Sequence, residues 1–111
     1  MTTFDEREKA YEKKFAIEQE KQFKAAARRN KLLGEWAAAK LGLSGGAVAD
    51  YVNAVVKADL AHMGHGAQDK VRRDFEENGL AITERELHAA MAEFLRTAVR
   101  QIEEAEAAKA R

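Results

Sequence analysis

The stretch Thr83-Glu84-Arg85-Glu86-Leu87-His88-Ala89-Ala90-Met91-Ala92-Glu93-Phe94-Leu95-Arg96-Thr97-Ala98 decides the fold class. Its apolar residues Leu87, Met91, Phe94, Leu95 and Ala98, carried on to Ile102 and Ala105, recur every three or four positions. That spacing lays them along one stripe of a helix, a near-continuous a/d seam, with charge on the other faces. Thr83 and Glu86 stand at capping-box spacing and open the segment. Beyond Ile102 the residues are Ala, Glu, Lys and Arg, which predicts a fraying tail.

Glycine and polar clusters mark three further helical segments upstream. The first runs from about Thr3 to Leu41 and opens on a capping box, Thr3 with Glu6, or Thr2 with Asp5 one register back. It ends at Leu41-Gly42-Leu43-Ser44-Gly45-Gly46. Gly42 suits the left-handed position after a helix, and Ser44 is the expected N-cap of the next. The second segment, about Gly46 to Met63, repeats Val48, Val52, Val55, Val56 and Met63 at helical spacing, with Tyr51 and Leu60 beside them. Gly64-His65-Gly66 breaks it. The third, about Ala67 to Asn78, carries Val71 and Phe75. Short connections predict antiparallel neighbours in a bundle. The expected core is Leu33, Trp36, Ala37, Leu41, the valines of the second segment, Val71, Phe75 and the stripe of the fourth. The fold class is therefore all-α, a four-helix bundle with a long first helix and a mobile N-terminal arm.

Composition agrees. Of 111 residues, 23 are alanine, and proline and cysteine are absent. Helix formers dominate, while β-branched residues are sparse. Without cysteine there are no disulfides, thiolate metal sites or thiol chemistry. Lys+Arg and Asp+Glu number 19 each, and that balance opposes a dedicated nucleic-acid binder, which needs a basic surplus. No apolar run reaches the roughly 18 residues of a membrane span. The N-terminus lacks the apolar stretch of a secretory signal, so a cytosolic location is expected.

The N-terminal third differs from the rest. Residues 1–31 hold nine bases and six acids and no leucine or valine. Phe4, Tyr11 and Phe15 fall within an arc of about 40° on a helical wheel. Burying one aromatic gains roughly 1.5–3 kcal/mol, whereas ordering each backbone residue costs roughly 1–2 kcal/mol. Three or four aromatics cannot hold twenty residues without a partner surface. Residues 1–20 are therefore expected to form an arm, frayed when free and ordered as an amphipathic helix when a groove accepts it. Residues 21–111 form the bundle. The alternative is a first helix packed along the bundle for its whole length; three shorter partner segments argue against it.

Two blocks carry a family resemblance. One is Phe4-Asp5-Glu6-Arg7-Glu8 with Glu12-Lys13-Lys14-Phe15. The other is Ala27-Arg28-Arg29-Asn30-Lys31-Leu32-Leu33-Gly34-Glu35-Trp36-Ala37. Both resemble the zeta subunit, the inhibitor of the rotary F-type ATP synthase of alphaproteobacteria. The resemblance implies a non-enzymatic inhibitor of ATP hydrolysis. Its arm inserts between catalytic subunits of the synthase head, touches the central shaft and blocks rotation in the hydrolysis direction. The implied partners are the alpha, beta and gamma subunits. The implied location is cytoplasmic, peripheral to the inner membrane through the synthase, with the free protein a monomer. Partner contacts carried over are Phe4, Arg7, Glu8, Tyr11, Lys14 and Phe15 in the arm, and Arg28, Arg29, Asn30 and Lys31 at its root. The root charges could equally serve only to cap and solvate the junction. No cofactor is required; weak ATP or ADP binding by the bundle is implied by the family, but there is no phosphate-loop motif and no nucleotide residue is assigned.

Other chemistries find less support. Asp59, His62 and His65 could make half a zinc site, though a histidine serving the helix dipole and cap is the commoner arrangement, and no metal is expected. A small all-α enzyme of chorismate-mutase type would need inward-facing Arg29 and Lys40, whose long stems ordinarily reach past a core edge. A helical adaptor or homodimer built on the first segment would need sustained heptads, which Glu8, Gln19 and Gln22 interrupt.

Overall fold

The computed structural model describes the backbone of residues 3–110 and the side chains of residues 18–110. Four helices follow in order: α1 (Thr3–Lys40), α2 (Gly46–Ala61), α3 (Gly66–Glu77) and α4 (Glu84–Lys109). α1 packs along α2 and α4, and α3 leans mainly on α2. Pairings between Asn30 and Asp59 and between Gly34 and Val52 show that α2 runs antiparallel to α1. Lys21–Glu106 and Arg28–Gln101 show the same for α4. The bundle is thus an all-α four-helix arrangement whose first helix, at 38 residues, is much the longest.

The core is a small cluster of Leu33, Ala37, Val55, Ala67, Val71, Phe75 and Leu87. Trp36, Leu41, Tyr51, Leu80, Ile82, Met91 and Phe94 close over it. Trp36 meets Phe75 and Phe94 edge-on, at ring-centre distances of 5.6 and 6.0 Å, the geometry that aligns ring edges with ring faces. At the end of α1, Leu43 N–H donates to Ala38 carbonyl and Gly42 N–H to Ala39 carbonyl, with Gly42 at φ 78°. This is the Schellman closure that the glycine permits.

Several expectations need correction. Ser44 does not cap α2. The N-cap is Gly45, at φ 60°, and no side chain bonds the first turn; the loop needs a positive φ at that position, which serine resists. α2 ends at Ala61, because His62 leaves helical geometry and Gly64 turns at φ 93°. Met63 therefore sits outside the helix and is 66% exposed. The tail after Ile102, expected to fray, is helical to Lys109, since Ala, Glu and Lys are strong helix formers and Lys21 meets Glu106 at 3.6 Å. The α4 stripe is only partly sealed. Leu87 and Ala98 are buried, while Leu95 is exposed beside Ala25 and Ala26 of α1, side chains too short to cover it. Thr83 caps α4 as expected, its hydroxyl accepting from Glu86 N–H at 3.1 Å.

Candidate functional site

The site is the root of α1, where burial along the helix begins. Every side chain from Glu18 to Lys24 is exposed, including Phe23; the first buried residue is Ala25. The arm contacts anticipated at Phe4, Arg7, Glu8, Tyr11, Lys14 and Phe15, and the Thr3–Glu6 box, have side chains outside the described residues. The four root residues are described, and the fold sorts them. Arg28 and Lys31 are exposed, Arg28 reaching Gln101 on α4. Asn30 is turned inward and is 3% exposed. Arg29 is half-buried.

Asn30 belongs to a polar cluster. Its Nδ2 donates to Asp59 Oδ2 at 2.9 Å, and its Oδ1 accepts from Arg29 Nε and Nη2 at 3.2 and 3.0 Å. Asp59, itself buried, takes a second bond from the Ala67 N–H at 3.2 Å and has Arg29 Nη2 at 4.0 Å. Three helices meet there, and among the described residues no buried side-chain nitrogen or oxygen lacks a partner. Full satisfaction matters, because a half-paired polar group in such a setting costs more than an apolar one. Sequence reading named Asn30 and Arg29 but not Asp59 as their partner. The signal was present: Asp59 follows Val52 by seven positions, a register where the pattern asks for an apolar residue.

Asp59 therefore faces away from His62 and His65. The two exposed rings stack on each other at 5.8 Å. His65 is the N-cap residue of α3 rather than the end of α2, and its Nδ1 lies 2.8 Å from Asp69; only His62 stands at a helix C-terminus. Among the described residues, no group of three His, Asp or Glu is arranged to hold a metal ion.

A second network is solvent-facing. Arg72 bonds Asp69 and Glu84, Asp69 meets His65, and Glu84 lies 3.8 Å from His88. The His65 hydrogen bond, then that of Arg72, holds the Asp69 carboxyl below its ordinary range. Arg72 does the same for Glu84. These exposed pairs brace the α3–α4 connection weakly. Arg29 also borders a hollow of about 420 Å³ between α1 and α4, floored by Ala25, Ala26, Leu95, Val99 and Ile102. Lys40 lies over Trp36 at 5.1 Å and does not line the hollow that Arg29 borders. No helix among the described residues is long and apolar enough to cross a membrane.

Comparison with known families matches residues 1–101 to the family described as ATPase inhibitor subunit zeta. No curated protein matches the chain. The match spans α1, α2, α3 and most of α4, and the chain belongs to that family.

Proposed function

We propose that this member of the zeta family inhibits ATP hydrolysis by the rotary F-type ATP synthase through its N-terminal arm. The observation that carries the reading is the run Glu18–Lys24, exposed along its whole length before burial on α1 begins at Ala25. A helix that leaves its core is available to another protein's cleft. The arm supplies aromatics at Phe4, Tyr11 and Phe15 for burial and charges at Arg7, Glu8 and Lys14 for pairing, the anchor spacing that helix-in-groove recognition uses. The cleft lies between catalytic subunits of the head, close to the rotating shaft. A helix seated there blocks rotation in the hydrolysis direction. Ordering the arm on insertion draws on the burial of its aromatics, so affinity depends on them more than on any surface charge.

The test uses synthase heads stripped of their own inhibitor. The full chain is expected to suppress ATPase activity. A chain beginning at Lys21 is expected to keep its helical circular dichroism and cooperative melting yet lose inhibition. Equal inhibition by the shortened chain rejects the reading, and so does a full chain that leaves cognate heads active.

A further inference from the structure

Among the described residues the exposed large apolar side chains are Phe23, Leu60, Met63, Leu95 and Val99. Leu95 and Val99 floor the hollow between α1 and α4. The other three gather on a different face, where α1 meets the end of α2, around a dimple of about 40 Å³. They are also the more open, at 57, 59 and 66% against 38 and 39%. The local reason is plain. α2 stops at Ala61, so Met63 lies beyond its last turn, and the Ala26 and Ala27 side chains between the larger groups are too short to cover them. The polar pair at the dimple, Asn30 and Asp59, is already joined by a hydrogen bond of 2.9 Å, so what the patch offers a partner is apolar. Single exposed apolar residues are ordinary; several around one dimple mark a contact surface.

Place and size say what covers it. Phe23 follows the arm, residues 1–20, by three positions, about 4.5 Å along a helix axis. Leu60 and Met63 come from α2 and the loop after it, yet share the dimple with Phe23. A protein that takes the arm into a cleft therefore brings the mouth of that cleft against this patch. Three side chains at these exposures offer roughly 300–400 Å². A stand-alone interface needs roughly 800 Å² from each partner, so the patch is too small to hold two copies of the chain together. It suits a contact that adds to a larger one. Its charged neighbours are basic: Lys31 stands one turn past Ala27, Lys57 stands three residues before Leu60, and both are exposed.

We propose that Phe23, Leu60 and Met63 form a seat that docks on the rim of the cleft in the synthase head, against an apolar patch flanked by carboxylates. The proposal rests on the inhibitory reading above and adds a second contact to it, made by the bundle. The seat needs no order in the free arm: the arm folds on entering the cleft, and the seat then closes on the rim and slows departure. Two linked contacts hold better than either alone. The block on rotation stays with the arm; the seat sets how long the block lasts.

The experiment uses the full chain and stripped heads. Leu60→Ser with Met63→Ser changes two exposed side chains far from the arm in sequence, and is expected to leave the melting temperature nearly unchanged. It is expected to need roughly tenfold more protein for half-inhibition, with the same inhibition at saturation and faster recovery of activity after dilution. Lys31→Glu with Lys57→Glu is expected to weaken inhibition more at low salt than at high. Wild-type potency in the serine pair overturns the proposal, and wild-type potency in the glutamate pair overturns the acidic rim.

A fluorescent label gives a reading that no substitution in the seat can confuse. The chain has no cysteine, so Ala61→Cys places one dye beside the seat and Glu103→Cys places one on α4, both at exposed positions. Adding heads is expected to shift the Ala61 dye to shorter wavelength and leave the Glu103 dye as it was. A labelled chain that inhibits while its Ala61 dye stays in water overturns the seat and leaves the inhibitory reading standing. A chain that fails to inhibit cognate heads rejects that reading itself. An Ala61 shift that grows with protein concentration in the absence of heads assigns the patch to a second copy of the chain, and overturns the proposal too.

Discussion

Two halves of one helix make the most informative comparison in this molecule. From Ala25 to Ala38, α1 buries Ala25, Asn30, Leu33, Gly34, Ala37 and Ala38 against three neighbours. From Glu18 to Lys24 it buries nothing, although its residues favour a helix just as well. Helical preference alone therefore says little about where a helix finds its stability, which comes chiefly from packing one apolar face. The buried half owes its place to Leu33 and the small residues that let α2 approach. The exposed half has charge, glutamine and a single Phe23, and its pairs are surface contacts such as Glu20–Lys24 at 3.2 Å.

The comparison can be broken most sharply in the core. Phe75→Ala removes a ring that is 2% exposed and stacked edge-on against Trp36, and is expected to cost about 3–5 kcal/mol by chemical denaturation. Phe23→Ala, on the exposed half, is expected to stay within about 0.5 kcal/mol of wild type. A comparable loss at both sites would mean that residues 18–24 are held by the bundle after all.

Next in size is Gly66→Ala. Gly66 starts α3 against the end of α2, and a β-carbon there would stand 2.0 Å from the Ala58 carbonyl oxygen. Neither backbone can yield freely, so a loss of about 1–3 kcal/mol is expected, read as a lower melting temperature. Gly46, which meets nothing, is the control: alanine there is expected to be neutral or slightly stabilising.

Tyr51 offers a smaller effect with a clear pH signature. Its hydroxyl donates to Asp74 at 2.7 Å, and burial first, then Asp74, push its pKa up beyond the ordinary tyrosine range. With the folded value raised, the contribution is complete below the unfolded pKa and disappears as pH rises through the folded one. Phenolate absorbance from Tyr51 is therefore expected only once the bundle opens in alkali. Tyr51→Phe is expected to lose that late step and about 1 kcal/mol of stability.

The smallest effect belongs to the exposed network around Arg72. Asp69 and Glu84 titrate below their ordinary range, so their support is present above the unfolded carboxylate pKa and lost as pH falls through the folded values. Arg72→Gln is expected to flatten the acid limb of a stability–pH curve and to change little at neutral pH. A large neutral-pH loss would show that the α3–α4 connection depends on this network more than solvent-exposed charges allow.

Much of this architecture was legible in local pattern. The stripe of α4, the spacing of Val52 and Val55, the Thr83 cap and the Gly42 closure each follow from residues within a few positions of one another. The failures are of a different kind. Ser44 looked like a cap because its chemistry suits one, but the turn required Gly45. Leu95 looked like core because its spacing suits one, but the alanines opposite are too small to cover it. Asn30 and Arg29 stood either as partner contacts or as polar groups solvating the junction, and Asp59 as a partner for the histidines. Their real partners lie 29 and 30 positions apart in sequence, where no local rule links them.

Residue order alone determined the four helices and the family to which the chain belongs, because periodicity and motif are properties of neighbours along a chain. Only the tertiary structure decided that Asp59 turns inward to meet Asn30, Arg29 and the Ala67 amide, that His65 opens α3 instead of closing α2, and that burial on α1 begins at Ala25. Those outcomes depend on which faces of separate helices come within hydrogen-bonding or van der Waals reach, and that is settled when the helices pack.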